Sequence, residues 1–251
     1  MTLDVMTHPL LDRTRHGFFG RAGGASSGVF AGLNCGFGSS DQHDIVAINR
    51  TRVANQMGVA ADALVGVHQI HSADVVVVTS PTADKPKADA QVTATKGVAL
   101  SVLTADCQPV LFADNEAGVV GAAHAGWQGA LNGVLEATID AMIGLGAQRD
   151  MIVAVIGPSI SQRAYEVGPE FAERFIDIDP ANARFFANGQ GDKMQFDLPG
   201  FGLARLRAAG IRDAAWTRHC TYSDPERFYS YRRSVHHKQA DYGRLIAAIC
   251  L

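Results

Sequence analysis

Hydrophobic and polar positions repeat on two different periods along this chain. Between Leu64 and Ala123 short β-branched runs follow one another, LVGVHQI, DVVVVTS, GVALSVLT, PVLFAD and GVVGAAH, each closed by turn-forming residues. Their near-continuous apolar character predicts strands at the centre of a sheet and buried on both faces, so helices or a second sheet must pack on either side. A helical period governs the flanks. In DIVAINRTRVANQM the residues Ile45, Ile48, Val53 and Met57 fall near helical spacing and Gly58 stops the run. Leu131, Val134, Leu135, Ile139, Met142 and Ile143 keep a 3-and-4 rhythm that ends at Gly144, MIVAVIG predicts another buried strand, and Asp197 to Gly210 predicts a capped helix with an early Pro199. Ser80 to Ala90, with two prolines and alternating charges, predicts an exposed loop. The uneven interleaving favours α+β: one layered domain over residues 1–251, a mixed β-sheet core flanked by helices, without internal repeats or linkers.

Charge changes the picture by exclusion. With 22 Lys+Arg against 25 Asp+Glu, the net charge of −3 leaves no basic arm or patch for a phosphate backbone, so nucleic acid is not an expected partner. The apolar runs fall far short of the roughly 20 residues of a membrane-spanning helix. The start of the chain, MTLDVMTHPLLDRTRHG, has no basic region followed by an apolar one, which makes a soluble protein of the cytoplasm the expectation. Cys35, Cys107, Cys220 and Cys250 form no C-x-x-C pair and read as free thiols.

Candidate chemistry gathers at predicted strand ends. Cys107 closes VALSVLTADC, His124 closes GVVGAAH, and His71 ends HQIH. If these strands share an edge, one thiolate and two imidazoles form a ligand set suited to zinc, with a fourth position left open. Separations of 36 and 17 residues match no compact zinc motif, and a buried cysteine or a hydrogen-bonded core histidine is the plainer reading of each residue. On a strand His68 and His71 point to opposite faces, so only His71 joins the set. Two other chemistries use the same atoms. Cys107 with His124 as general base would suit a metal-free amide hydrolase. Copper needs weighing too, but nine histidines without any His-x-His pair supply too few ligands for several coppers.

Arg50 and Arg52 on the first helix, and Arg232 and Arg233 after FYSY, are candidates for an anionic group, with solvated surface charge as the bland alternative. Gly36-Phe37-Gly38 and Gly126-Trp127-Gln128-Gly129 could add backbone donors. Phe228, Tyr229 and Tyr231 fit the core better than a stacking platform.

The ordered segments HGFFGRAGG, LNCGFGSSD, VHQIHSADV, ADAQVTATKGVALSVLTADCQPVLFAD, GAAHAGWQG, IGPSISQRAYEVG and YSYRR resemble the YfiH/YlmD and laccase-domain family, also labelled peptidoglycan editing factor or polyphenol oxidase, from about Gly17 to Arg244. The resemblance implies an α+β fold and one zinc ion bound by the His of Q-x-H, the Cys of ADC and the His of AHAGW, here His71, Cys107 and His124. It also implies phosphorolysis of adenosine, inosine, guanosine and methylthioadenosine, with phosphate as co-substrate, and hydrolytic deamination of adenosine, with zinc expected over copper. Arg50, in INRTRVA, is then the expected phosphate clamp, and Asp106, Gln162 and Glu166 are candidates for proton transfer or base reading. The expected partners are small purine nucleosides and phosphate, and the expected state is a monomer or weak homodimer. Two departures from the family pattern stand out: HSAD in place of H-G after His71, and SVHHKQADYGR after YSYRR, where His236 and His237 suggest a mobile polar loop.

Overall fold

The computed structural model describes residues 2–81 and 85–251, so part of the predicted Ser80–Ala90 loop lies outside the described residues. The β-branched runs form strands, but they divide between two sheets instead of lining up in one. The first sheet contains β1 (Val5–Met6), β2 (Arg15–Phe19), β3 (Leu64–Val65), β6 (Ala99–Thr104) and β14 (Leu245–Cys250), in the order β1-β2-β14-β6-β3. The second contains β4 (Val75–Val77), β5 (Ala90–Thr93), β7 (Gln108–Asp114), β8 (Val119–Ala125), β9 (Val153–Ile156) and β13 (Asp213–Trp216), in the order β13-β9-β7-β8-β5-β4. Antiparallel ladders dominate both, and β3/β6, β4/β5 and β9/β13 are parallel pairs. A small antiparallel sheet joins β10 (Glu166–Val167), β11 (Phe186–Asn188) and β12 (Met194–Phe196).

The two large sheets pack face to face, and alternation along each strand divides its side chains between two cores. Leu111 and Ala113 of β7 join Val120, Ala122, Leu100, Val102 and Ile249 between the sheets. Val110 and Phe112, their neighbours in sequence, point the other way, into a core shared with α3 (Val134–Gly144), α4 (Pro169–Ile178) and α5 (Leu198–Ala208). Helix α1 (His43–Gln56) covers the outside of the first sheet through Val53, Ala54 and Met57. Helices therefore lie outside both sheets, a mixed α+β layering that accounts for strands buried on both faces.

Local departures from the sequence pattern have physical causes. The helix read from Leu131 to Gly144 is two, α2 (Trp127–Asn132) and α3, because Gly133 between them adopts φ +96°, outside the helical region. On α1 the buried face passes through Val46 and Asn49, while Ile48 is exposed. The buried Asn49 accepts from the Ala25 amide and donates to Ser26 and to the Asn34 carbonyl, so a polar residue ties the helix to the loop beneath it. The predicted exposed loop ends early, since Ala88, Asp89 and Ala90 are fully buried. A short helix, α6 (Tyr231–His236), takes in the first three residues of the segment Ser234 to Arg244 that was expected as a mobile loop, and His236 bonds the Tyr222 hydroxyl at 2.9 Å. No helix among the described residues is long and apolar enough to cross a membrane.

Candidate active site

Strand register brings Cys107 and His124 together. The antiparallel β7–β8 ladder sets Gln108 opposite Ala125 and Pro109 opposite His124, so Cys107, one residue before β7, stands beside the end of β8. His124 shares the parity of Val120 and Ala122 and so continues the row that faces the other sheet.

His71 arrives differently. The strand predicted through HQIH stops at Val65, and His71 sits in the following loop with φ +61°, a left-handed conformation that costs a non-glycine residue about 1–2 kcal/mol. One carboxylate stabilises it. Asp89, fully buried, accepts from the amides on either side of His71, Ile70 at 3.0 Å and Ser72 at 2.6 Å, through one oxygen. Its other oxygen accepts from His124 Nδ1 at 2.7 Å, and its carbonyl accepts from the His124 amide. A single side chain thus fixes the His124 ring and the backbone turn that carries His71.

The result is a grouping of His71, Cys107 and His124 whose donor atoms all lie within 4.8 Å of one another, close enough to hold one metal ion. With Nδ1 committed to Asp89, His124 has Nε2 to offer, which is how a carboxylate orients a metal-binding histidine. The two imidazoles meet edge-on with centroids 4.8 Å apart. Gly126 leaves the space that His71 and Cys107 use: a Cβ there would lie 2.8 Å from His71 Nδ1 and 3.0 Å from Cys107 Sγ. Both the donor chemistry and this cradle fit a bound metal.

Burial alone would raise the Asp89 pKa, but the bonds it accepts from His124, Ser72 and Ile70 hold it down at about 2. Burial would likewise neutralise His124, yet Cys107 and Asp89 raise it to about 9. His71 is lowered by burial and by His124, with Asp89 opposing.

Two cavities open on this cluster and share His71, Ala105, Cys107 and Tyr231. The first, about 740 Å³, is basic: Arg50, Lys85 and Arg244 line it, and no carboxylate among the described residues does. Arg50 donates to the Cys35 and Leu64 carbonyls at 3.4 and 3.2 Å, and its guanidinium and the Lys85 ammonium lie 5.7 and 4.9 Å from the centroid of the Phe37 ring. Burial and Arg50 depress the Lys85 pKa. The second cavity, about 470 Å³, is aromatic, with Trp127, Tyr165 and Phe171 in its wall and Glu166 and Arg232 beside them.

The remaining sequence candidates separate. Arg52 donates to the Gly23 carbonyl and lies outside both cavities, and Arg233 is occupied by the carbonyls of Thr221, Tyr222 and Phe228. His68 lines the basic cavity without joining the ligand grouping. Asp106 is buried under bonds from Thr221, Ser230 and the Arg232 amide, Gln162 donates to the Gln195 carbonyl, and Glu166 remains open to the aromatic cavity. Phe228 and Tyr229 are core residues, but Tyr231 is half exposed and borders both cavities. Sequence reasoning missed Asp89, Lys85, Tyr165 and Arg244. For Asp89 a signal existed, an acid between two alanines just before an apolar strand; nothing in the sequence marks the others.

The family model described as multi-copper polyphenol oxidoreductase laccase matches residues 15–251. The chain is 41% identical over 243 residues to a protein of Deinococcus radiodurans named purine nucleoside phosphorylase, covering 94% of this chain and 88% of that one. It is 37% identical over 214 residues to the Escherichia coli purine nucleoside phosphorylase YfiH, covering 85% and 86%. A crystal structure of a Neisseria meningitidis protein superposes with a TM-score of 0.90 at 34% identity, covering 100% of this chain and 99% of that one.

Proposed function

The chain belongs to the family described as multi-copper polyphenol oxidoreductase laccase, which includes YfiH, and from that premise we propose that it is a zinc-dependent purine nucleoside phosphorylase that also deaminates adenosine. Its substrates on this reading are adenosine, inosine, guanosine and methylthioadenosine, with phosphate as co-substrate, and it works in the cytoplasm as a monomer or weak homodimer. The observation that carries the reading is the placement of the His71, Cys107 and His124 grouping between a basic cavity without carboxylates and an aromatic one. Relatives named purine nucleoside phosphorylase supply the reaction class.

His71, Cys107 and His124 would hold the metal, which supplies Lewis acidity at neutral pH when bound. Asp89 fixes the His124 imidazole and the backbone that carries His71. Arg50, with Lys85 beside it, binds phosphate: two cations gathered in one cavity without a carboxylate repel each other until an anion enters between them. Glu166, with Glu170 lining the same cavity, is the carboxylate assigned to reach a base for the deamination, because Asp106 is already saturated by its donors.

Copper oxidation of phenols is the competing reading that the family description itself raises. Against it, the described residues contain one grouping of three ligands, enough for one ion. The test is metal analysis of the purified protein, followed by chromatography of adenosine incubated with and without phosphate. Near-stoichiometric zinc, adenine released only with phosphate and inosine formed in either case are expected. Bound copper with oxygen uptake on phenols and no nucleoside turnover would overturn the proposal, as would an activity that alkylation abolishes and a chelator leaves untouched.

A further inference from the structure

The aromatic cavity is built for something other than phosphate. Trp127, Tyr165 and Phe171 form a continuous wall, with Phe171 4.9 Å from Trp127 and 6.0 Å from Tyr165 between ring centroids, and the Arg232 guanidinium lies 5.3 Å from the centroid of Tyr165. Such a wall stacks flat heterocycles, at about 1–3 kcal/mol per base.

Tyr165 adds direction. The hydroxyls of Tyr222 and Tyr229 have protein partners, whereas that of Tyr165, part-buried in the cavity wall, makes no hydrogen bond among the described residues. It shares the cavity with His71 and Cys107 of the ligand grouping and with Asp106 and Arg232. Burial keeps it protonated well above neutral pH, hence a donor. A hydroxyl that no protein group uses, set in the wall of a cavity, is free to bond a ligand placed there.

We infer that this cavity is the purine-base subsite and that the Tyr165 hydroxyl donates a hydrogen bond to a ring nitrogen of the base. The ribose then spans the seam at His71 and Cys107, and the basic cavity is left to phosphate. The inference rests on the phosphorolysis reading above. In that reaction the bond from C1′ to the base nitrogen breaks with its electron pair leaving on the purine, while a phosphate oxygen bonds C1′. The proton that neutralises the departing base is the one that dihydrogen phosphate brings. Tyr165 stabilises the charge developing on the base without giving up its own proton.

The two tryptophans, Trp127 and Trp216, make this measurable, because only Trp127 lines the cavity. Adenine titrated into the zinc-loaded enzyme should quench tryptophan emission, and Trp127→Phe should abolish the quench. Tyr165→Phe removes an oxygen that no protein group uses and so should keep the thermal midpoint of the parent. It should weaken adenine binding about 10-fold, the worth of one buried hydrogen bond, and lower kcat/KM for adenosine at least as much, with the KM for phosphate unchanged. Intact phosphorolysis with no adenine quench, or a Tyr165→Phe enzyme whose phosphate KM rises while adenine binds normally, would overturn the assignment. An adenine quench that needs Trp127 in a protein with no phosphorolysis would uphold the subsite and overturn the phosphorolysis reading.

Discussion

Replacing Gly126 by alanine separates the metal site from the fold that carries it. The backbone there, φ −66° and ψ 171°, suits any L residue, so the substitution introduces no strain and should leave the metal-free protein as stable as before, or about 0.4–1 kcal/mol more stable through the unfolded chain. The new methyl, however, would lie 2.8 Å from His71 Nδ1 and 3.0 Å from Cys107 Sγ, where ordinary contact begins at 3.4 Å. The donors must retreat by about half an ångström, and metal–ligand distances tolerate only about 0.2 Å. His71 is exposed and can swing aside in the metal-free protein at little cost; bound metal takes that freedom away. Zinc affinity should therefore fall about 10–100-fold, or roughly 1.4–2.8 kcal/mol, with all three ligands still present. Chelator competition reads the affinity and calorimetry of the metal-free protein reads the stability. Gly133→Ala supplies the opposite pattern. At φ +96° its cost is about 1–2 kcal/mol of stability, with no donor atom of the site near the new methyl and zinc affinity unchanged. Wild-type zinc affinity in Gly126→Ala, or an equal loss in Gly133→Ala, would refute the reasoning.

Three further outcomes follow from the same geometry. Asp89→Asn should weaken zinc binding about 10–100-fold. It should also destabilise the metal-free protein by about 2 kcal/mol at pH 5–6, as urea melts would show. The sign on each side is fixed by the two pKa values: the carboxylate's contribution is lost as pH falls from about 4 through about 2, and that of the raised His124 is lost as pH rises from about 6.5 through about 9, so the difference between parent and variant should shrink at both extremes. Because His124 holds its proton up to about 9 in the metal-free protein, zinc binding at pH 7 should release at least one proton, visible as a calorimetric enthalpy that depends on the buffer's ionisation enthalpy; a buffer-independent enthalpy would contradict that protonation state. Arg50→Gln should raise the KM for phosphate at least 10-fold and leave adenine quenching intact, since the arginine touches only the basic cavity; an unchanged phosphate KM would remove Arg50 from the anion site.

How much of this was legible in the sequence depends on which force positions each group. Strands buried on both faces announce themselves by apolar runs, and the nearness of Cys107 and His124, placed by strand register, could be read from where those runs end. The division into two sheets could not, because an apolar run records that both faces are covered but not by what. His71 was read as a third strand end, which is the wrong local reason: its place comes from a left-handed turn held by a carboxylate 18 residues away, and a hydrogen bond of that span leaves no periodicity behind. Asp89 itself was misread for the same cause, since prolines and charges just before it resemble solvated loop until the fold buries it. Tyr165, Lys85 and Arg244 are drawn in by layers that meet only in three dimensions, and the same holds for Gly126, whose importance is a volume left empty. What the chain spells out locally is the scaffold and the two donor residues standing on it; the groups gathered around those residues arrive through long-range contacts. The variants most able to move function without moving stability should therefore be Gly126→Ala and Tyr165→Phe, at positions whose neighbours in sequence give no hint of their neighbours in space.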